Sequence, residues 1–147
     1  MAAYNKFECF VGDLAGGVHD LSGNSDGDLL KVYLSNAAPS ASGDTVKADL
    51  AEISNENGYT APEDVQNDGN EASGTFTLTG VSLTITAAGG TVGPFRYVAL
   101  YNDTAANDPL IAWWDYGSEV TLQAGESFSI KFNNADVGNA GNIFTLA

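Results

Sequence analysis

Short apolar runs alternate with clusters of Gly, Asn, Asp, Ser and Pro along most of the chain, the punctuation of strands and turns. The first run is Tyr4–Val11, and residues 12–28 read as a Gly- and Asp-rich loop. Leu29–Ser35 (LLKVYLS) alternates in part and predicts a strand, followed by a turn over Asn36–Asp44. Thr75–Thr86 alternates cleanly: Phe76 and Leu78 share one face, and Val81, Leu83 and Ile85 share a face after Gly80. A single Gly that shifts the parity predicts a bulge or bend. Phe95–Tyr101, Leu110–Tyr116, Glu126–Phe132 and Asn142–Leu146 complete the strand set. Thr45–Ile53 is the one helical pattern, with Asp44 or Thr45 as cap and Val46, Leu50 and Ile53 at helical spacing. Residues 54–73 are polar, carry Glu56, Glu63, Asp64, Asp68 and Glu71, and predict a long exposed loop.

About seven or eight strands without interleaved helices predict an all-β fold, a single antiparallel β-sandwich or barrel. At most one short helix is expected, around 45–53. The expected division is an N-terminal strand or arm with its loop over 1–28 and a β-sandwich domain over 29–147. A chain of 147 residues suits one such domain.

Charge narrows the partners. Five Lys and Arg stand against 19 Asp and Glu, a formal charge of −14. The cations Lys6, Lys31, Lys47, Arg96 and Lys131 are scattered, so no basic stripe for nucleic acid or an anionic membrane is expected. The longest apolar run, Leu110–Trp114, is far short of the ~20 residues that span a bilayer. Lys6 and Glu8 interrupt the stretch where a secretory leader would be unbroken, so no leader is expected. A single cysteine, Cys9, forms no internal disulfide.

Catalytic constellations are thin. The only Cys–His pair is Cys9 with His19, and no nucleophile elbow is present. Asn24, Asp26 and Asp28 have the spacing that opens a calcium loop, but Leu29 and Ser35 occupy the positions where an EF-hand needs Gly and Glu. Asp115 lies among Trp113, Trp114 and Tyr116, a setting that suits a sugar platform or a glycosidase carboxylate. Alternation places Trp113 and Asp115 on one face and Trp114 and Tyr116 on the other, so at least one aromatic pair faces the core. Asn102-Asp103-Thr104 fits a glycosylation sequon. No cofactor and no enzyme activity is expected; a structural or binding role is.

Leu30–Pro39 (LKVYLSNAAP), Gly89–Tyr101 (GGTVGPFRYVALY), Asn102–Thr104 (NDT) and Asn107–Gly117 (NDPLIAWWDYG) resemble a group of small virion structural proteins of tailed bacteriophages. The resemblance covers residues 28–132 and is carried most specifically by FRYVALYNDT and PLIAWWDYG. It implies an acidic β domain of the head, a decoration or cement protein on the outer surface of the capsid. The implied partners are the major capsid protein and copies of itself, as a trimer. Such a role needs apolar anchors with a polar rim. Tyr4, Phe7 and Phe10 are the candidate anchors, on a segment that either adds to a neighbour's sheet edge or forms the first strand of its own sandwich. The alternatives are a tail or fibre-attachment component, and a host-glycan-binding module with Trp113 or Trp114 exposed. Removing residues 1–11 is expected to weaken shell binding and leave the domain folded.

Overall fold

The computed structural model describes residues 2–23 and 25–147. In chain order the elements are β1 (Tyr4–Lys6), α1 (Cys9–Ala15), β2 (Leu30–Ser35), β3 (Glu63–Asp64), β4 (Asp68–Ala72) and β5 (Thr75–Val81). There follow β6 (Leu83–Thr86), β7 (Val92–Asn102), β8 (Leu110–Leu122), β9 (Ser127–Ile130) and β10 (Ala140–Leu146). The fold is all-β with antiparallel pairing, as the sequence pattern predicts, but with ten strands among the described residues rather than seven or eight. No helix among those residues is long and apolar enough to cross a membrane.

One layer of the sandwich is a five-stranded sheet in the order β1-β8-β7-β2-β3. Register puts Val32, Leu34, Val98, Leu100, Ala112 and Trp114 on one face and Tyr33, Ala99, Tyr101 and Trp113 on the other. Both faces are buried at the centre, which is why β2 and the end of β7 read as continuous apolar runs. The first face packs on the second layer. On the second face, the Tyr33 hydroxyl donates to the Leu50 carbonyl at 3.1 Å. The Lys47 ammonium, paired with Glu52 at 2.7 Å, lies over the Tyr33 and Tyr101 rings.

The second layer is one long ribbon that bends. β5 passes directly into β6 across Ser82, and β10 and β9 pair in turn with β5 and β6. Gly80 is not the point where parity changes. Leu78, Gly80 and Ser82 all point inward, and the inward set then shifts to Ile85 and Ala87, so the break falls at Ser82. The Ser82 N–H donates to the Asn139 carbonyl at 2.9 Å, and its hydroxyl accepts the Phe132 N–H at 3.1 Å. Gly80 is a glycine for another reason: an added Cβ would come within 2.9 Å of Ile143 and 3.0 Å of Phe132.

Two further expectations are corrected. The predicted strand over Tyr4–Val11 keeps only Tyr4–Lys6, and the only α-helix among the described residues is α1 rather than one at 45–53. Phe10 and Leu14, four apart, turn toward the core, and Gly16 with Gly17 (φ 74°) ends the helix. At 45–53 the chain makes a single 3-10 turn, Lys47–Asp49. Val46 is bridged to Pro109, and the Leu110 N–H donates to the Thr45 carbonyl. That pairing fixes Val46 in an extended conformation, and Leu50 is extended again, so a helix has no room to propagate.

The polar stretch 54–73 contains β3 and β4 instead of one long loop. Segment 1–28 contributes Phe7, Phe10 and Leu21 to the same core as the rest of the chain.

Candidate functional site

The site is a cleft of about 480 Å³ on the open side of the sandwich. One wall is the inner face of the large sheet, where Tyr4 on β1 is opposite Trp114 on β8, and Trp114 is opposite Val98 on β7. The other wall is formed by β9, β10 and the turn between them. Tyr4 meets Trp114 and Phe144 with ring centroids at 5.9 and 5.8 Å, Trp114 meets Phe132 at 5.8 Å, and Tyr116 meets Phe128 at 5.4 Å. Such tilted and edge-on pairs fix ring orientations beyond what burial alone does. Burial pushes the Tyr4 hydroxyl pKa up to about 12, so it stays protonated at neutral pH.

A bulge presents Tyr116. Between the pairs Phe95–Val120 and Tyr97–Asp115, β7 advances two residues while β8 advances five. The four intervening residues, Tyr116–Glu119, face only Arg96 and are displaced outward, with Gly117 at φ 97°. Asp115 anchors the base of the bulge. It takes a bidentate ion pair from Arg96 (2.8 and 2.8 Å) and the Gly117 N–H at 2.7 Å. Those donors hold its carboxyl below the usual carboxylate range. Asp115 is therefore committed to Arg96 rather than standing free as one of a catalytic carboxylate pair. Tyr116 is 56 % exposed.

The far rim is polar. Asn133 and Asn134 are both left-handed (φ 47° and 58°), a conformation Asn tolerates better than most residues. With Asn142 they put three carboxamides at the cleft, and no Asp or Glu lines it. Lys131, the one ionised residue in the lining, lies 3.4 Å from Asp136.

The residues singled out by sequence separate. Tyr4 and Trp114 come together in the cleft. Phe7 (0 % exposed) and Phe10 (2 %) are core residues and are withdrawn as partner anchors. Phe10 is buried from α1, which follows β1 directly, and Phe7 from the link between them. Trp113 lies outside the cleft: it is on the opposite face of the sheet and packs on Phe7 at 4.5 Å. Sequence reasoning missed Phe128, Phe144, Asn133 and Asn134, whose signal is only their convergence in space.

A second polar cluster ties the segment before β2 to the end of β7. The Asn102 amide nitrogen donates to His19 Nδ1 at 3.0 Å and to Asp28 Oδ2 at 2.6 Å. Its oxygen accepts the Thr104 and Ala105 N–H groups, which sets the amide's orientation. His19 Nδ1 is thus an acceptor and the proton sits on Nε2, which is buried without a partner among the described residues. Burial lowers the imidazole pKa, against the opposing pull of Asp13 and Asp28. Asn102 is fully buried, so this sequon asparagine is closed to modification in the folded chain. Of the calcium-spaced residues, Asp28 is committed to this cluster and Asn24 lies outside the described residues. The Cys9 Sγ faces the Thr45 and Leu110 carbonyls at 3.6 and 3.5 Å, and burial pushes its pKa up. Among the described residues no three metal-ligating side chains converge. Comparison of the chain with family models, curated proteins and solved structures returned no match.

Proposed function

We propose that this protein is a non-enzymatic structural protein of a tailed-bacteriophage virion that decorates the outer surface of the capsid and stabilises the shell where subunits meet. The observation that carries the reading is where the resembling segments lie. Leu30–Pro39 stands far before Gly89–Tyr101 and Asn107–Gly117 in sequence, yet it pairs beside them: the three segments supply β2, β7 and β8, adjacent strands at the centre of the large sheet. That the resembling segments form one contiguous part of the sheet supports the reading.

With Phe7 and Phe10 buried, the apolar residues left for a shell contact in the N-terminal segment are Val11 on α1 (52 % exposed) and Val18 in the turn after it (41 %). In this reading they meet the major capsid protein, the acidic remainder keeps free copies soluble, and copies assemble as a trimer. Stabilisation is linkage: a protein that binds the assembled shell and not its separated subunits shifts the equilibrium toward the shell.

The test is co-sedimentation with expanded shells that lack the protein. The wild-type chain is expected to pellet with shells, while V11E/V18E, melting as wild type does, is expected to stay in the supernatant. A wild-type chain that stays in the supernatant overturns the reading. A double variant that pellets normally overturns the assignment of the α1 face.

A further inference from the structure

We propose that the aromatic cleft is a binding site for a neutral saccharide, with a pyranose ring stacked on Trp114 and Tyr116 and its hydroxyls met by Asn133, Asn134 and Asn142. This is separate from the shell contact on α1 and does not depend on it.

Charge argues for the ligand class. The chain carries 19 carboxylates, yet none lines the cleft, and the one cation there is close to an acid of its own. A hollow lined by no carboxylate and one paired lysine, in a strongly negative surface, disfavours anions at long range and offers a cation no carboxylate at close range. An uncharged, hydroxyl-rich ligand suits it.

The chemistry of the walls agrees. A pyranose has one face of C–H groups, slightly positive, which meets the negative face of an aromatic ring. Its hydroxyls each donate and accept, and a primary amide offers both roles in one plane. Among the described residues the side-chain amides of Asn133, Asn134 and Asn142 make no hydrogen bond within the protein, whereas the Asn5 amide donates to the Ala3 carbonyl at 3.0 Å. The volume lies within the roughly 300–1,000 Å³ of ligand pockets, whose lining is apolar with a few polar groups.

The turn that carries two of the amides is set in advance. Phe132, 3 % exposed, anchors the turn through its N–H on Ser82 and its carbonyl, which accepts the Ala135 N–H at 2.9 Å. Gly141 lets the Phe132 carbonyl approach so closely that a Cβ there would collide with it. The turn therefore fixes the backbone from which Asn133 and Asn134 project, so only their side chains have to settle on binding. An extended peptide fits less well. The turn divides the open edge of the second layer into pieces of four and seven residues, so an added strand cannot run along it unbroken.

The experiment is a printed array of neutral, amino and acidic saccharides together with apolar peptides, its hits titrated by fluorescence of the W113F variant, in which Trp114 is the only tryptophan. A neutral saccharide is expected to shift Trp114 emission saturably, with an affinity unchanged from low to high salt. Y116A and N133G/N134G are expected to weaken it at least tenfold; glycine keeps the left-handed backbone, and an unchanged melting temperature shows that the fold is intact. Capture of no saccharide across the array, capture of peptides alone, or tighter capture of acidic than neutral sugars with salt-dependent affinity would each overturn the proposal. Shell binding by Y116A at the wild-type level is expected, which separates this site from the α1 face.

Discussion

At the scale of single residues, His19 and Tyr59 show what burial does to polar chemistry here. His19 is 6 % exposed, with Nδ1 locked as an acceptor by an amide that cannot turn. Protonation would set a new N–H against the Asn102 amide hydrogens and leave a cation in the core, with Asp13 and Asp28 its nearby carboxylates. Its folded pKa lies below that of the free imidazole, about 6.5. The folded state is thus favoured fully above that value, and stability falls as pH drops from there toward the folded pKa, because the unfolded chain takes up the proton first. Melting temperature is expected to be level near neutral pH and to decline below about 6.5, before the carboxylates titrate. His19→Gln is expected to abolish that early decline; the same decline in the variant would assign it elsewhere.

Tyr59 is 1 % exposed, and its hydroxyl accepts the Leu34 N–H at 2.8 Å while donating to Glu52 at 3.2 Å. It completes the edge of β2 where β3, only two residues long, ends. Tyr59→Phe leaves a buried backbone N–H without an acceptor, and a loss of about 1–3 kcal/mol is expected in urea denaturation. A loss below a few tenths of that would show that water reaches Leu34.

At the scale of elements, the N-terminal segment is the instructive case. Its pattern reads as a strand, and local signals do not announce the helix: Glu8 caps α1 without a side-chain hydrogen bond, and Gly12 sits inside it. Packing chooses, since only a strand followed by a helix buries Tyr4, Phe7, Phe10 and Leu14 against one core. Phe7→Ala is therefore expected to cost about 3–5 kcal/mol, and removal of residues 1–11 to abolish the cooperative melt rather than only shell binding. A truncated chain that still melts cooperatively would show that β1 and α1 are dispensable.

The central strands were legible because their apolar runs are long and bounded by Gly, Asn and Pro. β4, DGNEA, was not: four of its five residues are exposed, and only its register with β5 makes it a strand. The parity change near Gly80 was legible as an event but not in place, because Ser82 is held by backbone and hydroxyl contacts from residues 132–139 that no local pattern announces. Tyr4 and Trp114 were visible as aromatic residues in predicted strands. The cleft was not, because Phe128 and Phe144 reach it from β9 and β10 in the second layer and Asn133 from the turn between them.

At the scale of the whole molecule, the large sheet is buried on both faces, the second layer bends, and the bend leaves one side of the sandwich open. The acidic surface surrounds two different features: exposed valines on the α1 side, and a carboxylate-free cleft beside the β9–β10 edge. In the proposed role many copies act at once, so a modest apolar contact repeated over a shell would amount to a large total effect. The most direct measurement is a titration of the purified protein into expanded shells that lack it, reading copies bound at saturation and the shell's melting temperature. Saturation on the order of hundreds of copies with a raised melting temperature is the predicted result. Saturation at a handful of copies, or full occupancy with no change in shell melting, would contradict the capsid role.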